Sequence, residues 1–150
     1  MPQSLSNILV HVIFSTKSRM PLLKDDSREE MHRYIGGIIR KCGTHPIMIN
    51  SVSDHIHLFF DLPRTMTIAD LVKEIKTGSG SWIREQESCP GGFHWQTGYG
   101  AFSVSPEHKE ALVRYIANQE EHHRKVSFQD EYRHFLHKYG IEYDEQYVWD

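Results

Sequence analysis

Between residues 7 and 15 (NILVHVIFS) apolar side chains occupy alternating positions, with Ile8, Val10, Val12 and Phe14 on one face and Leu9, His11 and Ile13 on the other. That period of two, rich in β-branched residues, predicts a central strand. The period then lengthens. Met31, Tyr34, Ile35, Ile38 and Ile39 recur at helical spacing behind the capping residues 25–27, and Ser27 with Glu30 matches a capping box. A helix of about 15 residues is predicted there, stopping near Gly43. Two apolar runs follow at 46–52 and 55–62, joined by Ser53-Asp54 as an antiparallel hairpin. Thr67 and Asp70 open a second helix with Ile68, Leu71, Val72, Ile75, Trp82 and Ile83 as its buried stripe, and Gly78 and Gly80 weaken its middle.

The segment CPGG at 89–92 reads as a loop, and 94–105 (HWQTGYGAFSVS) as an aromatic strand bent by Gly98 and Gly100. Ser105-Pro106 starts a third helix, predicted to run to about Arg124, because Ser at the cap satisfies an orphan N–H and Pro at the first position never had one. A last amphipathic helix over about 127–139 carries Phe128, Tyr132, Phe135 and Leu136 and ends at Gly140. The order β-α-β-β-α-β with extra C-terminal helices is the split βαβ, ferredoxin-like pattern of an α+β antiparallel sheet, here one domain over 1–150.

Composition narrows the class. The chain has 39% hydrophobic and 25% charged residues, the balance of a soluble globular domain. Two cysteines, Cys42 and Cys89, make neither a metal motif nor a disulfide framework, and the N-terminal apolar run is too short for a signal peptide or membrane span. A cytoplasmic protein without a membrane partner is expected. Net charge is −3, yet residues 142–150 hold four acids and no bases, leaving 16 acids (20 less 4) against 17 bases in the rest. A nucleic-acid surface would have to be local, with Lys17, Arg19, Lys73, Lys76, Arg84, Arg114, Arg124 and Lys125 as its candidates.

Three features could carry chemistry. On a strand, His55 and His57 point the same way and could share a metal ion. With 11 histidines in 150 residues, one His-x-His is expected by chance about once, so the pair gains weight only in company. Tyr115 and Gln119, four apart, lie on one helical face that His122 continues. A tyrosine needs a nearby cation or base to act as a nucleophile, and a metal held by the histidines would provide it. Finally, Trp95 and Tyr99 are interleaved with glycines, as a stacking surface for single-stranded bases requires.

Asp54-His55-Ile56-His57-Leu58, then Trp95-Gln96-x-Gly98-Tyr99-Gly100-Ala101-Phe102-Ser103, then Tyr115-Ile116-x-Asn118-Gln119-x-x-His122-His123 resemble, in order, the segments of the single-tyrosine transposases of the HUH endonuclease superfamily. This is the insertion-sequence 200/605 type, with its REP-associated relatives. The resemblance covers nearly the whole chain. It implies a homodimeric DNA transposase that cuts and rejoins hairpin-containing single-stranded DNA through a 5′-phosphotyrosine, using Mg²⁺ or Mn²⁺ and no nucleotide cofactor. Carried over, Tyr115 is the nucleophile and His55, His57 and Gln119 are the metal ligands, while His122 and His123 match a trailing pair without an assigned role. Lys17, Arg19, Lys73, Lys76, Trp95, Tyr99 and Arg114 are the expected DNA contacts. Two alternatives remain: a non-catalytic ferredoxin-like module that binds single-stranded nucleic acid, and a metal-dependent hydrolase that uses water in place of the tyrosine.

Overall fold

The computed structural model describes residues 2–86 and 92–150. Its elements are β1 (Leu9–Ser15), α1 (Asp25–Lys41), β2 (Pro46–Ser51), β3 (His55–Asp61), α2 (Ile68–Arg84), β4 (Gly100–Val104), α3 (Lys109–Ala117), α4 (Gln119–His122) and α5 (Phe128–Lys138). The sheet runs β2-β3-β1-β4 with every neighbouring pair antiparallel, the strand order of the ferredoxin-like fold expected from the sequence.

Alternation along the two central strands divides the molecule into two layers. Val10, Val12, Phe14, Ile56, Leu58 and Phe60 face back onto α1 and α2, where Met31, Ile35, Ile39, Leu71, Val72 and Ile75 complete the larger core. Ile13 and Phe102 face front onto Phe128, Tyr132, Phe135 and Leu136 of α5, and Leu9 and Phe59 face Ile116 of α3. Two glycines set how closely these layers approach. A Cβ on Gly78 would lie 2.6 Å from Ile38 Cδ1, and one on Gly100 would lie 2.6 Å from the Tyr132 ring. The glycine expected to weaken α2 thus lets α1 pack against an unbroken helix.

Several sequence expectations are corrected. The Ser27–Glu30 capping box does not form. Lys24 is the N-cap without a side-chain bond, and Asp25 and Asp26 already lie in the first turn, where the helix dipole favours acids. Thr67 and Ser127, by contrast, do accept from the N–H groups of Asp70 and Asp130. The expected strand 94–105 is paired only at Trp95, which bridges to Thr16, and over β4. Between them the carbonyls of Gln96, Thr97 and Gly98 turn to Lys76 Nζ at 2.6, 3.1 and 2.7 Å, so a lysine replaces the sheet partner. The third helix is also interrupted. It starts as a 3₁₀ turn over Pro106–His108 and breaks at Asn118, where Asn50 Nδ2 donates to the Ile116 carbonyl (2.8 Å) and the Ala117 carbonyl (3.3 Å). The loop expected at 89–92 lies outside the described residues except for Gly92.

The acidic C-terminal segment folds back as turns. Arg133 makes a two-pronged contact with Glu145, and Gly98 N and Gln96 Nε2 donate to the carbonyls of Asp150 and Val148. No helix among the described residues is long and apolar enough to cross a membrane.

His32 on α1 is hydrogen-bonded to Ser51 Oγ at 2.7 Å, and burial, aided by Arg28, pushes its pKa down to about 4. An unfolded histidine titrates near 6.5, so between about pH 4 and 6.5 the unfolded chain binds the extra proton and stability falls as pH falls. His32→Gln removes that titration while keeping a hydrogen-bonding side chain. Denaturant midpoints measured between pH 4 and 7 are expected to decline less steeply for the variant than for the wild type.

Candidate active site

The front face of β3 presents His55 and His57, both fully buried. In register, His57 lies between Ile13 of β1 and Asn50 of β2, at the centre of the sheet. Each ring is oriented from outside. Asp54 Oδ1 sits 2.7 Å from His55 Nδ1, and His11 Nε2 sits 2.8 Å from His57 Nδ1, leaving both Nε2 atoms aimed at one point in front of the sheet. A third imidazole arrives from the turn after α4, where His123 Nδ1 meets the Val126 carbonyl at 2.6 Å and its Nε2 turns inward.

At that point stands Glu131 of α5. Its Oε1 lies 3.0 Å from His57 Nε2, 3.0 Å from His123 Nε2 and 3.3 Å from His55 Nε2. Its Oε2 accepts the Tyr115 hydroxyl and Gln119 Nε2 (3.3 Å) and lies 3.3 Å from His122 Nε2. Tyr115 at the end of α3 and Gln119 at the start of α4 thus meet the histidine pair within one chain. Gln119 Oε1 also faces His55 Nε2 at 3.4 Å.

Electrostatics follow from burial and from this carboxylate. Burial alone would raise the Glu131 carboxyl, but hydrogen bonds from His123, His55 and His57 outweigh it and hold the group well below the usual carboxylate range. Burial keeps His57 below its ordinary value. For His55, burial acts in the same direction but is overcome by Asp54 and Glu131, so the ring is raised. Tyr115 is pushed far above an ordinary phenol, first by burial and then by the Glu131 charge.

Chemically, this set fits a cation. Asp54 and the Val126 carbonyl can only accept, so His55 and His123 must each place a proton on Nδ1. In their neutral forms both then aim an Nε2 lone pair at a carboxylate oxygen, an arrangement that requires either extra protons or a positive ion among them. His55, His57, His123 and Glu131 each offer one ligand atom, all within 4.8 Å of one another. Imidazole and carboxylate donors suit several divalent metals, so the donor set does not select one.

The other sequence candidates are dispersed. Trp95 is a core residue, 8% exposed, that donates to Ser79 Oγ. Lys76 is tied to the 96–98 carbonyls and lies with exposed Lys73 on α2, behind the sheet from the histidines. Tyr99 is half-buried beside Lys76, Arg19 lies over the Trp149 ring, and Lys17 is exposed near it. Arg114 and Lys125 adjoin the site, lining a groove beside Tyr115 and His122, and Arg124 lines another with His123. Sequence reasoning missed Glu131, His11 and the inward role of His123. The signal for Glu131 was present: it occupies a stripe position between Phe128 and Phe135, where an acid is out of place.

Residues 4–119 match the family described as "Transposase IS200 like", and the chain belongs to that family. Among solved structures it is similar to a protein from Deinococcus radiodurans R1 assigned as a transposase, with a TM-score of 0.60 and 23% identity over 79% of this chain and 98% of that one. It is also similar to a REP-associated tyrosine transposase solved bound to a REP hairpin, with a TM-score of 0.60 and 15% identity over 84% of this chain and 74% of that one. No protein of curated function matches it significantly.

Stripping metal with a chelator and then titrating Mn²⁺ is expected to raise the melting temperature, because ligand bound only to the folded state stabilises it by about 2.7 kcal/mol at a hundredfold excess over Kd. His57→Ala is expected to abolish the rise. Glu131→Ala is expected to lower the stability of the metal-free protein by about 3 kcal/mol in denaturant titrations, since it strips a buried charge from its partners.

Proposed function

We propose that this chain is a divalent-metal-dependent transposase nuclease that cuts and rejoins single-stranded DNA through Tyr115. The observation that carries the reading is the convergence of Tyr115, Gln119, His55 and His57 around one carboxylate, within a family of transposases. The bound hairpin of the REP-associated relative supports a hairpin-bearing single strand as the substrate. The reading carries with it action inside the cell.

Tyr115 Oη attacks the phosphorus of a phosphodiester. The tyrosine O–P bond forms as the P–O3′ bond breaks, leaving the 5′-phosphate on tyrosine and a free 3′-hydroxyl once the departing oxygen takes a proton from water. The phenol proton leaves along the existing hydrogen bond to Glu131 Oε2. Burial and the Glu131 charge disfavour the phenolate, so this transfer needs a neighbouring cation. A divalent cation held by His55 and His57, with Gln119, Glu131 or His123 completing the set, would polarise the phosphate and offset the carboxylate's field on the phenol. Asp54 and His11 fix the ring orientations that such binding needs. Because the phosphotyrosine conserves the energy of the broken ester, the freed 3′-hydroxyl can reverse the step and rejoin a strand without another energy source.

Incubating the protein with 5′-radiolabelled and, separately, 3′-radiolabelled hairpin-bearing single strands and Mn²⁺ should yield a protein–DNA adduct on a denaturing gel that carries only the 3′-labelled fragment. Tyr115→Phe should form none while binding the strand within a few fold of wild type. Strand cleavage by wild type without any adduct would assign the attack to water.

A further inference from the structure

The side chains of His55, His57, Gln119 and Glu131 are buried, but the Tyr115 side chain reaches a groove of about 830 Å³ between α3, α5 and β4. Val104, Leu112, Phe135 and Tyr139 contribute its apolar walls, and His134 and Lys138 line it as well. An aromatic row runs along it. The Tyr115 ring lies 5.9 Å from Phe135, Phe135 stacks on Phe102 at 5.3 Å, and Phe102 meets Tyr139 at 5.0 Å. The Tyr139 hydroxyl donates to the Ser103 carbonyl at 2.7 Å, which orients the ring, and the residue remains 37% exposed.

Resting on the function proposed above, we infer that this groove is a nucleobase subsite, which stacks a base within two nucleotides of the scissile phosphate against Tyr139. A single DNA strand whose phosphate lies at the Tyr115 hydroxyl has two kinds of surface to offer, a charged backbone and flat apolar-faced bases. The backbone gains nothing from a trough walled by Leu112, Val104 and Phe135. A base does, because an exposed aromatic face fixed at its edge stacks without losing side-chain freedom. Charges of both signs line the groove: Lys138, with Nζ 6.0 Å from the Tyr139 ring, and His134 offer positive or hydrogen-bonding groups to phosphates beside that base, while Asp130 and Glu131, the latter bonded to the Tyr115 hydroxyl, also line it. Ala111, exposed on the groove wall, is the position at which a large side chain would fill the space without entering the core.

The test is an abasic scan. Hairpin-bearing strands with one abasic residue at each of the two positions on either side of the cut are titrated against wild type, Tyr139→Ala and Ala111→Trp, with Kd read by fluorescence anisotropy and adduct formation measured in parallel. For wild type, one position is expected to weaken binding about 10- to 100-fold, the range of a single base–aromatic stack. In Tyr139→Ala and Ala111→Trp the intact strand binds correspondingly less well, and the abasic change at that position costs little more, as a coupled pair requires. Equal binding of intact and abasic strands by wild type overturns the subsite, whatever the adduct assay gives. So does an Ala111→Trp protein that changes only its oligomeric state, which would make the groove a contact between two copies of the chain. Absence of adduct from wild type on the intact strand, with the abasic pattern present, instead sinks the tyrosine chemistry and leaves the subsite standing.

Discussion

A carboxylate buried among three imidazoles holds the front half of this protein together. Taking Glu131 out of water is costly, and that cost is offset only because His55, His57 and His123 surround one oxygen while Tyr115, Gln119 and His122 surround the other. These partners come from β3, α3, α4 and the turn that follows, so one side chain on α5 joins four pieces of chain. The apolar contacts of Phe128, Tyr132 and Phe135 bring α5 to the sheet, and the carboxylate fixes its rotation there.

The sheet separates stability from chemistry. Its back face is a continuous apolar core with α1 and α2, and the same strands, read one residue out of phase, carry His11, His55 and His57 forward. Alternation makes this possible at no cost in length, because the residue that anchors the fold and the residue that faces the candidate site are neighbours in sequence.

Much of this was legible in the sequence. Period-two and period-3.6 patterns indicated the β-α-β-β-α-β order of elements and the helices α1, α2 and α5, while spacing singled out His55, His57, Tyr115 and Gln119, four residues that the fold brings together and whose roles only the family resemblance suggested. What escaped was set by contacts distant in sequence. The helix predicted to run on to about Arg124 has an unbroken periodicity, but Asn50, some 66 residues away, binds the carbonyls released at the break. The carbonyls of 96–98 look like strand residues until Lys76 takes them. A stripe-based reading of α5 counts its phenylalanines and passes over the acid between them, which is the residue with the most consequence. The capping box at Ser27 failed for a simpler reason, that two acids upstream had already started the helix.

Asn50 has a mechanical meaning as well. It sits directly across from His57 in the β2–β3 ladder and grips the last carbonyls of the helix that carries Tyr115. The histidine strand and the tyrosine helix are therefore tied to each other through Asn50, so that within one chain their spacing is set by the fold. In the function proposed above, nucleophile and ion-holding pair would thus share one mounting, and a change at Asn50 would disturb both together.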